Sequence, residues 1–222
     1  MTGAEQAAFS RVQISWQCPS KYRNAGQTCV CANRFFVQEG IHDAFVEKFT
    51  ARVRGLRVGD GFGEDVQIGP MIDQAAVEKV EELVADATGR GGTISTGGKR
   101  HALGKSFFEP TVLTDVSPEF QIFHEEIFGP VAAIIKFGDP EEMYEMANRT
   151  PFGLAAYFYG QNLSRVWRTA EALDFGIVGA NTGMISTEVA PFGGMKESGN
   201  GREGSKYGIE DYLEVKYFCL SI

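Results

Sequence analysis

Cys29 lies in the run Lys21-Tyr22-Arg23-Asn24-Ala25-Gly26-Gln27-Thr28-Cys29-Val30-Cys31, a polar, glycine-containing stretch that leads into an apolar one. A cysteine becomes a nucleophile when its thiolate is accessible and stabilised by backbone N–H groups or nearby cations. A loop of this kind entering a strand can supply both. Taken singly, a cysteine is more often a small core residue. A second run, Glu125-Glu126-Ile127-Phe128-Gly129-Pro130, places two carboxylates just before a turn. One carboxylate there could bond ribose hydroxyls, and Phe128 could pack against a flat ring. The plainer reading is a solvated acidic loop with a core phenylalanine. A third run, Pro191–Glu203, holds four glycines at 193, 194, 199 and 201. Such density implies close backbone approach, either to another chain segment or to a ligand. No Gly-Lys-Ser/Thr follows at the spacing of a phosphate loop.

The composition limits what these runs can serve. The chain has 222 residues, enough for one sizeable core or for one domain with an appendage. Hydrophobic residues make up 43% and charged residues 23%, as in a soluble globular protein. The formal net charge is −8, and no basic patch is present, so nucleic-acid binding through phosphates is not expected. Arg52, Arg54 and Arg57 alternate with apolar residues and read as a solvated face. A dinucleotide remains compatible, because helix N-termini and backbone N–H groups bind anions without net positive charge. No apolar run approaches the ~18 residues that span a membrane. The N-terminus lacks a signal-peptide pattern. A soluble, cytoplasmic protein is expected. The four cysteines, Cys18, Cys29, Cys31 and Cys219, are not spaced as a disulfide scaffold. His42, His101 and His124 stand singly, so no metal site is expected.

The elements that must position these runs follow from periodicity. Val30–Gln38 reads as a buried strand. Ile41, Phe45, Phe49, Val53 and Leu56 make one apolar helical stripe. A glycine-rich loop covers 57–70. A second helix runs over 74–88, with Val77, Val80, Leu83, Val84 and Ala87 on one face and glycines at its end. Short strands are expected at 93–96 and 107–116, with Pro110 arguing for an irregular position in the latter. Val131–Phe137 is apolar almost throughout, as in a strand covered on both faces. Asp139-Pro140-Glu141-Glu142 is a helix start with an N-cap, a first-turn proline and acids at the positive dipole end. That helix ends near Arg149. A strand at 154–159, a helix at 163–173 and a strand at 177–180 follow. A short helix at 205–212 and a terminal strand at 213–220 close the chain. The alternation favours an α/β fold, an open and mostly parallel sheet with helices on both faces.

Together, Gly-Gln-x-Cys, Glu-Glu-x-Phe-Gly-Pro and Pro-Phe-Gly-Gly-x-Lys-x-Ser-Gly, in this order and spacing, resemble the aldehyde dehydrogenase superfamily from about Ser20 to the C-terminus. The runs around Arg23–Cys31 and Gly201-Arg202-Glu203-Gly204-Ser205-Lys206-Tyr207-Gly208 look most like the succinate-semialdehyde dehydrogenases. The resemblance implies an aldehyde dehydrogenase catalytic domain over 20–204, a short helix and oligomerisation strand over 205–222, and a non-matching segment over 1–19. It implies a homo-oligomer, a dimer or tetramer, and NAD or NADP as coenzyme. By resemblance, Cys29 attacks a small-molecule aldehyde to give a thiohemiacetal, hydride passes to the nicotinamide, and water hydrolyses the thioester. The Cys29 backbone N–H is a candidate oxyanion donor, of a kind worth about 3–4 kcal/mol. Glu126 would hold the ribose and Phe128 would contact the nicotinamide end. Arg23 and Ser186, with Thr187 as a neighbour, match the grip on a substrate carboxylate, a task that suits a bidentate guanidinium. Cys31 matches a redox partner of Cys29, or is a core residue if the strand begins at Val30.

In the family, the coenzyme domain, the general-base glutamate and the oxyanion asparagine lie upstream of the nucleophile, and none is found in these 222 residues. The resemblance therefore implies a fragment with little activity of its own. The alternatives are a coenzyme-independent thiol esterase and a non-catalytic assembly piece. The apolar residues Leu213, Val215, Tyr217 and Phe218 of the terminal strand would leave an exposed edge unless a partner covers it.

Overall fold

The structure, a computed structural model, describes residues 18–222. Residues 1–17, most of the segment expected to match nothing, lie outside the described residues. Residues 18–22 are helical, and a 3-10 turn, Arg23–Gly26, follows.

A four-stranded sheet organises the chain. It holds β1 (Arg34–Gln38), β2 (Thr93–Thr96), β3 (Thr111–Thr114) and β4 (Val131–Phe137) in the order β1-β4-β3-β2. β1 and β3 both run parallel to β4, and β2 runs antiparallel to β3. Side chains alternate across a strand, and here both faces are apolar. Val112, Ala132 and Ile134 face one cluster, with Phe45, Phe49 and Val53 of α1 (Glu39–Arg54). Leu113, Val131, Ala133 and Ile135 face the other, with Val77, Val80, Leu83 and Val84 of α2 (Gln74–Gly89). The near-continuous apolar run of β4 is thus the mark of a strand buried on both sides.

Helix boundaries follow their caps. Asp73 accepts from Ala76 N at the start of α2. A short α3 (Gln121–His124) precedes the Glu126 loop. Asp139 caps α4 (Pro140–Asn148), and Asn162 caps α5 (Leu163–Ala172). β5 (Phe152–Gly153) pairs with β8 (Met195–Lys196), while β6 (Ala155–Phe158) lies parallel to β7 (Ile177–Ala180). A cavity of about 330 Å³ opens between β1, α4, α5 and β6, and Cys29 is not among its lining residues.

Three expectations are corrected. The first strand begins at Arg34, not Val30, because Cys31 N donates to Thr28 O and closes a turn around Cys29. Cys31 is therefore half-buried in that turn rather than part of a core strand. At the C-terminus, the helix shrinks to the 3-10 turn Glu210–Tyr212, and 213–222 form no strand. A strand needs a hydrogen-bonding neighbour, and none meets this segment among the described residues.

Leu113 is fully buried between the sheet and α2. Leu113→Ala should lower the unfolding free energy by about 3 kcal/mol in urea titration, through lost transfer energy and the cavity left behind. A loss under about 1 kcal/mol would contradict this packing.

Candidate active site

The nucleophile candidate stands on an unusual turn. Asn24, Ala25 and Gly26 adopt φ of 51°, 54° and 78° in succession. Such left-handed backbone costs roughly 1–2 kcal/mol at a non-glycine residue, and asparagine tolerates it better than alanine. Two anchors hold the turn. A Cβ on Gly26 would run into the carbonyl of Gly129, so the thiol loop packs backbone-on-backbone against the Glu126–Pro130 loop. Gln27 accepts from Ile72 N at 2.9 Å, and its amide lies 3.1 Å from Asn24 O, donating to it. Tyr22, just before the turn, donates to Thr111 O at 2.6 Å in the core.

On this support Cys29 is exposed and Cys31 is half-buried, both as free thiols. Cys31 Sγ lies 2.7 Å from Thr28 Oγ1, and Arg23 Nε donates to that hydroxyl at 3.4 Å. Arg23 Nη1 reaches Met184 Sδ at 3.9 Å. Arg23 therefore links the cysteine turn to the loop that carries Ser186. Ser186 and Thr187 are themselves exposed, two and three residues beyond that contact. Glu126 is exposed too, while Ile127 beside it is buried. Phe128 is exposed at φ 47°, so it is not the core phenylalanine of the plainer reading. An accessible carboxylate and an accessible ring thus share one turn.

Two site residues carried no sequence signal. Lys21 is 1% exposed, and burial pulls its ammonium from 10.5 down to about 8, against the pull of Cys31 and Glu126, which raise it. Its charge thus lies within reach of both candidate loops. Tyr157 of β6 donates to Val30 O at 2.8 Å. Burial pushes its phenol up to about 12, with Arg23 pulling it down and Cys31 and Cys29 adding to the rise. A lysine two places before an arginine and a tyrosine inside an apolar strand look like surface and core residues respectively. Their convergence is tertiary.

The glycine-rich run is explained by chain packing. A Cβ on Gly176 would meet Gly193 O, and one on Gly193 would meet Gly201 O. Arg202 Nη1 donates to Gly194 O and Gly201 O, both at 2.8 Å. Among the described residues, no group of three or more His, Cys, Asp or Glu could hold a metal ion, and no helix is long and apolar enough to cross a membrane.

With this fold and these motifs, residues 8–218 match the model of the aldehyde dehydrogenase family, and the chain belongs to that family. The match starts upstream of Ser20. Among its relatives, the chain is 58% identical to succinate-semialdehyde dehydrogenase [NADP(+)] of Escherichia coli, over 91% of this chain and 42% of the relative. It is 59% identical to glutarate-semialdehyde dehydrogenase of Pseudomonas aeruginosa, over 90% and 42%. It is 58% identical to 3-sulfolactaldehyde dehydrogenase of Pseudomonas putida, over 90% and 41%. The crystal structure of succinate-semialdehyde dehydrogenase from Burkholderia pseudomallei superposes with a TM-score of 0.94 at 55% identity, over 95% of this chain and 44% of that one. The chain thus spans about two fifths of the length of these relatives.

Lys21 gives a pH test with a definite sign. Its folded value lies below its unfolded one, so between about pH 8 and 10.5 the unfolded chain holds the extra proton. The stability carried by this group rises with pH through that window. Cys18 and Tyr157, pushed up by burial, work in the opposite direction above pH 9, so a comparison of variants is required. Lys21→Met should be more stable than the parent by about 3 kcal/mol at pH 7, and the gap should close by pH 10.5. Urea titrations at both pH values check it, and a gap independent of pH would contradict it.

Proposed function

We propose that this chain carries the thiol half of an NAD- or NADP-dependent oxidation of an aldehyde with an acid group at its far end, succinic semialdehyde to succinate above all. The observation that carries this reading is the packing of Gly26 on Gly129. It sets an exposed cysteine turn directly against a loop with an accessible carboxylate and ring. The relatives lend support through the semialdehydes and sulfo-aldehyde in their names.

In this reading Cys29 adds through its thiolate to the aldehyde carbon, forming a C–S bond and a tetrahedral alkoxide. The Cys29 backbone N–H donates to that oxyanion. The distal acid group lies against Arg23, with Ser186 and Thr187 as further donors. Arg23 is already fixed by Thr28 and Met184, so little side-chain entropy remains to be lost on binding. Glu126 holds the nicotinamide ribose and Phe128 packs at that end. The coenzyme, when bound, accepts the two electrons of the oxidation. Water then cleaves the resulting thioester, releasing the acid and the thiol. Residues 20–204 act as the catalytic domain.

A second role rests on the C-terminus. Leu213, Val215, Tyr217, Phe218 and Leu220 are all exposed. So many exposed apolar residues on one tail, broken only by Glu214 and Lys216, suit assembly with a second copy of the chain. Assembly is compatible with the catalytic reading.

Arg23 can be tested on Cys29 acylation without coenzyme. Mono-p-nitrophenyl succinate should acylate the parent faster than p-nitrophenyl acetate. Arg23→Met should erase that preference, a loss of roughly tenfold or more for the anionic ester with the neutral one unchanged. Equal losses for both esters would contradict the anion grip.

These 222 residues incubated alone with succinic semialdehyde and NADP should form almost no NADPH. A turnover of about 1 s⁻¹ or more, within the ordinary enzyme range, would contradict this. If Cys31 is the redox partner of Cys29, dilute hydrogen peroxide should mask Cys29 reversibly in the parent, with dithiothreitol restoring it. Recovery should be lost in Cys31→Ala, and equal recovery in both would sink that role.

A further inference from the structure

The loop that presents Glu126 belongs to no helix or strand, yet side chains hold its backbone on either side of that residue. Glu125 O accepts from Asn33 Nδ2 at 2.8 Å, and Ile127 N donates to Asn33 Oδ1 at 2.8 Å. Glu126 O, between them, accepts from Lys79 Nζ at 2.7 Å. One side-chain amide therefore brackets Glu126 on both sides, doing what a neighbouring strand does in a ladder. The flanking Ile127 is buried, and the carboxylate of Glu126 is left exposed.

Asn33 is placed to do more than hold a loop. It lies four residues beyond Cys29, in the short connection before β1. Ala32 N beside it donates to Ser20 O at 2.8 Å, which fixes that connection. The same few residues thus carry the thiol and the clasp on the carboxylate. Few side chains of this size could replace it. Aspartate keeps the acceptor for Ile127 N but loses the donor to Glu125 O, and leucine loses both.

We propose that Asn33 is a positioning residue that fixes Glu126 in register with Cys29, so that the ribose-binding carboxylate and the nucleophile move as one unit. The inference rests on the reading of Glu126 as the group that binds the nicotinamide ribose. Asn33 itself touches neither substrate nor coenzyme and acts through Glu126, with Lys79 as the outer half of the clasp.

The probe is reduced nicotinamide mononucleotide, which carries the nicotinamide and its ribose. Its binding to the 222-residue chain is followed by dihydronicotinamide fluorescence for the parent, Asn33→Ala, Glu126→Gln and the double variant. Asn33→Ala should weaken binding about tenfold, as should Glu126→Gln. If Asn33 acts through Glu126, the double variant should bind within about twofold of Glu126→Gln alone. Buried Cys18 should stay slow to alkylate with iodoacetamide in all four, which a general loss of fold would not allow. Asn33→Asp should not restore binding. Lys79→Met, which leaves the core untouched, should weaken binding about threefold and likewise lose its effect beside Glu126→Gln. Unchanged binding in Asn33→Ala, or losses that multiply in the double variant, would overturn the positioning role while leaving the Glu126 reading intact. A parent that fails to bind the mononucleotide, or a Glu126→Gln variant that binds like the parent, would overturn that reading and the inference with it.

Discussion

The contact on which the site depends is between two backbones. Gly26 meets Gly129 so closely that a single Cβ would collide with a carbonyl oxygen. Close contact of this kind excludes water and fixes the relative height of two loops that are about a hundred residues apart in sequence. Most of the candidate site is attached to one side of it or the other: Arg23, Cys29 and Cys31 on the first loop, Glu126 and Phe128 on the second, with Ser186 on a third loop. The left-handed turn at 24–26 is the local cost of that approach. A cost of a few kcal/mol persists because the surrounding structure over-determines it. Here Gln27, Tyr22 and the buried Ala25 supply that constraint.

The sheet supplies the rigidity behind the contact. β4 is covered on both faces, and it lies between β1, which follows the thiol turn, and β3, whose Thr111 carbonyl anchors Tyr22. The Glu126 loop leads directly into β4. Both loops therefore enter neighbouring parallel strands, β1 and β4, from the same end of the sheet. Parallel α/β sheets commonly gather ligand-binding loops at the carboxyl ends of their strands; here the two loops lie at the N-terminal ends instead. Polar side chains then join the two loops. Lys21, fully buried, interacts electrostatically with Cys31 on one and Glu126 on the other, and Asn33 ties them by hydrogen bonds.

Much of this was legible in the residues, and the limits are physical. The span of β4, 131–137, and the Asp139 cap of α4 could be read directly, because they depend on local pattern and short-range bonds. The start of β1 could not. Val30 and Cys31 are apolar and continue the strand pattern, but the Cys31-to-Thr28 turn wins over propensity. The C-terminal strand failed for the opposite reason, since its pattern is sound and its partner is absent among the described residues. At the site, Cys29, Arg23, Glu126 and Phe128 stood out through motif resemblance. Lys21, Asn33 and Tyr157 did not, because each matters through a neighbour far along the chain, as with Asn33 and Ile127, 94 residues apart.

The central claim is that the turn, and not exposure alone, makes Cys29 the reactive thiol. The chain contains its own control, because Cys219 is also exposed but lies on the unpaired tail. Alkylation by limiting iodoacetamide at pH 7, resolved cysteine by cysteine by mass spectrometry, compares the two in one molecule. Cys29 should react at least about tenfold faster than Cys219, with buried Cys18 slowest. Equal rates at Cys29 and Cys219 would mean that the turn gives its thiol no special chemistry, and would contradict the account.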